Sequence, residues 1–398
     1  LVPTQMTRGR AASTYRLRYD SDEQRRMADA LDETCRVHAS PEAVATWDRE
    51  ESYPSSAMAA LAAAGWAGLA VPAEYGGAGG SSTDLVCVHR ALARHSLALA
   101  QAYYSLWVLG ADVIARLGDE RQRQRWLPAI ARGEARVAFA LTEPGSGSDA
   151  AALRTAARRD ADHFVVDGQK VFITGAQVAD VIVTAVRTDH APGDKREGLS
   201  LMLIDPAGPG VTRRPLSKLG LKALDLCEVF FDGVRVAEED VLGPLHEGWA
   251  ALRPGLALER LLLAAISVGA TAHVLELSAA HAGERVTFGQ PIGSHQLVLD
   301  KLVEMRLALE AGDLLTWRAA EGVDAGRPSE IDASLAKLHA TRSYVSATRE
   351  GVQIFGGYGF TEEYPIARHY RDAKYLEIGG GTSEIQKLII GRSMGVGR

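Results

Sequence analysis

The sequence predicts an α+β protein of three consecutive blocks, helical, then β, then helical, and three observations carry that prediction. Ala-rich amphipathic segments fill the first third, short segments rich in Val, Ile and Phe follow, and long segments of helical period close the chain. Length permits this. The 398 residues, 46% hydrophobic and 24% charged, have ordinary globular composition and are enough for two or three cores.

The first helical block covers 20–136, its segments separated by the loops 71–80 and 117–120. The Gly cluster at 76–80 lacks both a preceding strand and GxGxxG spacing, so it reads as a plain loop and not as a phosphate cradle. The β block covers 137–245. Segments 163–174, 181–186, 199–204 and 227–231 alternate or run apolar between Gly, Pro and Asp turns, as in a small β-barrel or sandwich. The last block covers 246–398, where four helices at about 248–284, 294–322, 330–355 and 381–395 suggest a four-helix bundle. Ligand sites favour junctions between such blocks. Residues 1–19 carry Arg8, Arg10, Arg16 and Arg18 with no acid before Asp20. They read as a flexible end, although organellar presequences share this composition.

Charge and cysteine content exclude several classes. A net charge of −6 with no long basic run lacks the footprint of a nucleic-acid binder. Cys35, Cys87 and Cys227 are odd in number and far apart, which argues against a disulfide framework or a metal site and fits a reducing, bacterial-like cytoplasm. The matrix of an organelle is the alternative if the Arg-rich start is a presequence. Arg, Glu, Gly or His interrupts every apolar run before the ~20 residues that span a bilayer, so no membrane insertion is expected.

One carboxylate stands out. Glu259 lies in the most apolar stretch, 256–265, and at helical spacing shares a face with Leu262, Leu263 and Ile266. Burial there raises a carboxyl pKa and makes the ion a stronger base, yet an ordinary ion pair explains the same placement. Arg260 points about 100° away on the helix and Arg253 is nearly two turns back, so neither is a good intrahelical partner.

A second feature is the strand-to-loop run 137–149, Val-Ala-Phe-Ala-Leu-Thr-Glu-Pro-Gly-Ser-Gly-Ser-Asp. Gly145 and Gly147 let backbone N–H groups approach a ligand, and Thr142, Ser146 and Ser148 add short hydroxyls. This run resembles the flavin-contacting signature of the acyl-CoA dehydrogenase family, through Phe139, Leu141, Thr142, Gly147 and Ser148. Other segments match in order. Phe172-Ile173-Thr174 is similar to the family's aromatic-Ile-Thr strand, whose threonine hydrogen-bonds the flavin near N5. The run 284–292, with Arg285 and Phe288, and Gln296 beyond it, resembles the segment that reaches FAD across a subunit interface. Residues 353–360, with Gln353, Gly356 and Gly357, resemble the adenosine-end motif, and 381–384, with Thr382 and Glu384, a C-terminal flavin loop.

The resemblance implies an acyl-CoA dehydrogenase-like fold and FAD-dependent oxidation of a saturated acyl thioester to the trans-2-enoyl thioester. The family places its base in one of two segments. Gly380 stands where the commoner branch has Glu, whereas Glu259-Arg260 matches isovaleryl-CoA and long-chain acyl-CoA dehydrogenases. Glu259 is therefore the implied base, with Gly380 leaving it room. Ser148, Arg260, Gly380 and Gly381 are the implied substrate contacts. Tyr103, Tyr104 and Trp107 either shape a short acyl tunnel or pack the core. An electron-transfer flavoprotein as oxidant and a homotetramer, a dimer of dimers, complete the expectation. An acyl carrier protein in place of CoA, an oxygen-using oxidase, and a redox-silent thioester-binding scaffold stay as alternatives; retention of Glu259 argues against the last.

Overall fold

The structure, a computed structural model, describes residues 17–18, 21–189 and 193–395. Apart from Leu17 and Arg18, the expected flexible end lies outside the described residues. Helices α1 (Asp22–His38), α2 (Pro41–Glu50), α3 (Ser55–Ala63), α4 (Ser82–His95), α5 (Leu97–Tyr103), α6 (Leu109–Leu117) and α7 (Glu120–Ala131) come first. Strands β1 (Val137–Ala140), β2 (Ala156–Asp160), β3 (His163–Thr174), β4 (Val181–Arg187), β5 (Leu199–Ile204), β6 (Val211–Pro215), β7 (Leu226–Ala237) and β8 (Val241–Leu242) follow. The chain then forms α8 (Gly248–Glu284), a hairpin of β9 (Val286–Thr287) and β10 (Gln290–Pro291), and helices α9 (Gln296–Asp324), α10 (Glu330–Phe355), α11 (Pro365–Ile378) and α12 (Ser383–Ser393).

The α–β–α order is the expected one, with one helix added. The buried positions of α11 are Ile366, His369, Asp372, Ala373 and Leu376, so two polar residues interrupt the apolar stripe that would have announced it. The expectation that no segment is apolar enough to cross a membrane needs correcting. By length and composition Leu97–Leu117 and Gly248–Glu284 both are, because single Gly or charged residues do not lower the average of a long helix. Most of each apolar window is buried within the protein, as in core helices.

The described chain packs as two compact units. One comprises Thr46–Ser81 and Ala98–Glu259 and holds the sheet. Seven of its strands run in the order β6-β7-β3-β2-β4-β5-β8, and β1 pairs parallel to β4. β5 is buried along its whole length and β4 along all but its last residue, which explains their continuous apolar runs. Phe164, Val166, Ile173, Ile182, Met202, Val229 and Phe231 are among the residues of the sheet core. β3 departs from regular pairing with β7 at Val166/Gly168 and again at Lys170/Ile173, and the second irregularity falls at the candidate site.

The other unit comprises the chain up to Ala45, Ser82–Leu97 and everything from Arg260 onward. Here the backbone N–H groups of Ser82 and Thr83, at the start of α4, donate to the Asp324 carboxylate at 2.7 and 3.0 Å. That carboxylate caps donors the helix leaves unpaired. Arg90 and Asp313 join α4 to α9 as a buried ion pair, with the guanidinium 4.8 Å above the Trp317 ring. The helices α4 and α8 meet backbone to backbone: a Cβ at Gly269 would lie 2.2 Å from the Arg90 carbonyl oxygen.

Candidate active site

Strand β1 delivers Leu141 and Thr142 into the loop 142–155, and a buried ion pair fixes that loop. The Glu143 carboxylate accepts the N–H of Arg154 at 2.6 Å, the N–H of Thr155 at 2.8 Å and the Lys170 ammonium at 2.9 Å. Lys170, from β3, also donates to the Leu141 carbonyl at 3.0 Å. Next to it the Val171 N–H donates to the Thr142 carbonyl at 2.9 Å. The carbonyls at 141 and 142 are thereby occupied from the β3 side. Burial raises the Glu143 pKa, but the Lys170 charge and the Thr155 hydrogen bond outweigh it and hold the carboxyl below its usual range. Burial pushes the Lys170 ammonium down to about 8 against the pull of Glu143. Ser146 closes a tight turn by exchanging backbone bonds with Glu143. Gly147 and Ser148 then stand exposed.

β3 supplies the facing residues. Phe172 has φ +61°, a left-handed backbone that a bulky residue adopts only under constraint, and its ring is 59% exposed. Thr142 and Thr174 are half-buried, Phe139 and Leu141 partly so. Ile173 points into the sheet core and has only its backbone to offer a ligand. An exposed apolar ring, two half-buried hydroxyls and a glycine loop that nothing crowds suit a flat heterocycle such as the flavin of FAD. The segments 139–148 and 172–174 are thus brought together.

A second cluster gathers the adenosine-end candidates. Phe288 and Gly289 form the two-residue turn of the β9–β10 hairpin with φ +49° and +80°, leaving the Phe288 ring 97% exposed. The Arg285 guanidinium lies 5.9 Å over the Tyr358 ring, which joins the hairpin to the turn after α10. Gln296, Gln353, Gly356 and Gly357 are exposed.

Glu259 is half-buried on α8. Its neighbour Arg260 is buried and ion-paired with Glu330 at 2.8 Å, while its Nε–H has no hydrogen-bond partner among the described residues. The turn between α11 and α12 holds Gly380 and Gly381 at φ +62° and +83°. Thr382 ends it, capping α12 by accepting the Ile385 N–H, and Glu384 is exposed in the first turn. Three residues of these clusters escape a reading of the sequence as functional: Lys170, Lys337 and Gln386, each wholly buried. The sequence carries no local signal for them: Gly168 lies two residues before Lys170, Ser334 and Thr341 share the face of Lys337, and Thr382 and Ser383 that of Gln386.

Tyr103, Tyr104 and Trp107 are all buried, the last two in a π-helical turn (Tyr104–Val108) between α5 and α6. Tyr103 donates to the Trp66 carbonyl at 2.8 Å and meets Trp107 edge to face at 5.8 Å, both marks of core packing.

Strained aromatic, hydroxyl pair and glycine loop on an α–β–α scaffold suit a flavin-binding protein. Comparison with known proteins names the family. The profiles described as acyl-CoA dehydrogenase N-terminal, middle and C-terminal domains match residues 21–134, 138–234 and 246–395. The chain belongs to the acyl-CoA dehydrogenase family, whose members use FAD. It is 31% identical to the mitochondrial isovaleryl-CoA dehydrogenase of Pongo abelii over 94% of this chain and 89% of that one. Among solved structures it resembles butyryl-CoA dehydrogenase from Megasphaera elsdenii, with TM-score 0.91, 30% identity and coverage of 95% and 99%. It also resembles the prolyl acyl carrier protein oxidase AnaB, with TM-score 0.89, 28% identity and coverage of 94% and 100%.

Proposed function

We propose that Glu259 is the base of an acyl-thioester α,β-dehydrogenation and that the amides of Gly380 and Gly381 receive the thioester carbonyl. One observation carries the assignment: Glu259 precedes Arg260 on a long apolar helix, while Gly380 occupies the only other place where the family keeps its base. Glu259 takes the α-proton, whose acidity rises when N–H donors stabilise the developing enolate. Bound FAD supplies the hydride acceptor at N5. Phe139, Leu141, Thr142, Gly147, Ser148, Phe172, the Ile173 backbone and Thr174 hold the flavin end. Arg285, Phe288, Gln296, Gln353, Gly356 and Gly357 hold the adenosine end, with Thr382 and Glu384 beside the flavin. Arg260 and Ser148 orient the carrier portion of the substrate, and the free Nε–H of Arg260 supports this.

The acyl group is short or branched, a reading supported by the likeness to butyryl-CoA and isovaleryl-CoA dehydrogenases. The likeness to a prolyl acyl carrier protein oxidase favours a second reading, the same reaction on a carrier-bound acyl group, which a comparison of CoA and phosphopantetheinyl-carrier substrates separates. An electron-transfer flavoprotein is the proposed oxidant of reduced FAD, a homotetramer the proposed assembly, and a reducing cytoplasm the proposed setting, supported by three free, buried cysteines.

The test is anaerobic mixing with a thioester panel while following flavin absorbance. The unsubstituted protein bleaches with short or branched substrates, and Glu259→Gln binds FAD and thioester without bleaching. Bleaching of Glu259→Gln at the original rate overturns the assignment.

A further inference from the structure

The turn that carries Gly380 and Gly381 is fastened from one side. Lys337 on α10 is wholly buried and donates its ammonium to the Gly381 carbonyl. Gln386 on α12, also wholly buried, donates its amide Nε2 to the same carbonyl at 2.7 Å and to the Gly380 carbonyl at 3.3 Å. The orientation of that amide is unambiguous, because the reverse one would set its oxygen against two carbonyl oxygens. The Gln386 Oε1 has no partner among the described residues, so donation to the turn is what places the side chain. A Cβ at Gly381 would come within 2.8 Å of Nε2, so a side chain there would shift the amide from this position.

In a trans peptide the C=O and N–H point in opposite directions. Holding the carbonyls of 380 and 381 toward α10 and α12 therefore aims the N–H groups of Gly381 and Thr382 away from those helices. A carbonyl that accepts from an ammonium or amide also polarises its own peptide, which makes the N–H on the far side a stronger donor. A lysine taken wholly out of water is costly unless its bonds compensate, and here a named bond goes to the turn.

We infer that Lys337 and Gln386 are positioning residues of the dehydrogenation, clamping the Gly380–Gly381 turn so that the Gly381 N–H, on the peptide whose carbonyl Gln386 holds, is preset for the enolate oxygen while Lys337 fixes the peptide that follows. This rests on the assignment of that amide to the thioester carbonyl. Neither side chain touches substrate; each acts through the peptide it holds.

The test uses the FAD-loaded protein and 3,3-dimethylbutyryl-CoA in deuterated water. That thioester has α-hydrogens but none on Cβ, so exchange of the α-proton reports enolate formation while hydride transfer cannot occur. Lys337→Met and Gln386→Leu should retain FAD and bind this thioester with nearly the original Kd, yet exchange about 10²-fold more slowly, the loss typical of one misplaced oxyanion donor. With an oxidisable substrate, kcat should fall more than KM rises. Exchange at the original rate in either folded, FAD-loaded variant overturns the inference, and so does failure of both to fold with FAD, since that assigns them a purely structural part. If only one variant loads FAD, it decides alone. Glu259→Gln, with the clamp intact, should exchange nothing; if it still exchanges, the choice of base fails while the clamp is judged separately.

Discussion

The Lys170 ammonium sits 2.9 Å from the Glu143 carboxylate, which at the same time gathers the N–H groups of Arg154 and Thr155. Two ends of the loop 142–155 are thus tied to one buried charge pair. Removing one partner leaves the other buried and uncompensated, which costs about 3–5 kcal/mol, whereas removing both with apolar residues costs far less. Lys170→Met should lower the free energy of unfolding by that amount, and the urea midpoint with it, and weaken FAD binding by about tenfold or more, since 1.4 kcal/mol in a distorted loop already gives a factor of ten. Lys170→Met combined with Glu143→Leu should recover stability but not FAD affinity. Urea titration and FAD fluorescence read the two effects, and an unchanged midpoint in the single variant refutes the latch.

Phe172 offers a separate test because its strain is local. A left-handed backbone at a bulky residue costs roughly 1–3 kcal/mol, and glycine at that φ is free of it. Phe172→Gly should therefore leave the apoprotein as stable as before or up to about 1 kcal/mol more so, while FAD dissociates faster. Stability and affinity move in opposite directions only if the strain serves the ligand. A variant that loses stability and keeps its FAD affinity places Phe172 among ordinary packing residues.

The sequence carries the order of the blocks but little of the site. Thr142, Gly147, Ser148 and Thr174 are reached only through the likeness of their segments, in order, to a family pattern, because a Ser/Gly loop after an apolar strand is by itself any turn. The order of blocks is visible in the change of period from helical to alternating at residue 137. Lys170, Lys337 and Gln386 are not readable in this way: a lysine or glutamine in a periodic segment is assigned to the solvent face, and only the packed structure reveals zero exposure. The helix α11 is lost for the same reason, through His369 and Asp372 on its inner face. The way α1 and α4 cluster with α8–α12, and not with α5–α7, depends on long-range contacts such as Arg90–Asp313 that no window of sequence contains.

A chain of three polar rings, two of them buried, makes stability depend on pH on the acid side. The Tyr344 hydroxyl lies 2.7 Å from His369 Nδ1, and His369 Nε2 lies 3.0 Å from His273 Nδ1. Burial, reinforced by the charges of His95, Arg94 and Arg368, pushes His273 from 6.5 down to about 3. Burial and then the neighbouring His273 and Arg368 hold His369 well below its ordinary value. Both are neutral in the folded protein, so between pH 6.5 and about 3 the unfolded chain binds more protons. Stability is then full above pH 6.5 and falls as pH drops below it, by up to about 1.4 kcal/mol per pH unit for each histidine. His273→Gln should flatten that fall by one proton between pH 6 and 4.5 in urea titrations. An unaltered slope would mean that His273 is already protonated when folded.

Helix α9 presents Leu299, Val303, Leu307 and Leu314 to solvent, each at least half exposed. At 100° per residue these four fall within about 80° of arc, so they form one stripe and not scattered exposures. An apolar stripe of this kind on a long helix marks a surface that another surface covers, and the proposed homotetramer supplies a second copy of the same stripe. Val303→Asp with Leu307→Glu should keep the fold of the subunit, because neither side chain is in its core, but reduce the mass measured by analytical ultracentrifugation. If part of each FAD site comes from a neighbouring subunit through Arg285 and Phe288, FAD should be lost along with assembly, and added FAD should shift the equilibrium back toward the larger species. Phe288→Ala supplies the contrast: the ring stands fully in solvent within the subunit, so its removal should leave subunit stability alone while lowering FAD affinity. A double variant of α9 that keeps both its original mass and its FAD would show that the stripe is covered by something other than a second copy.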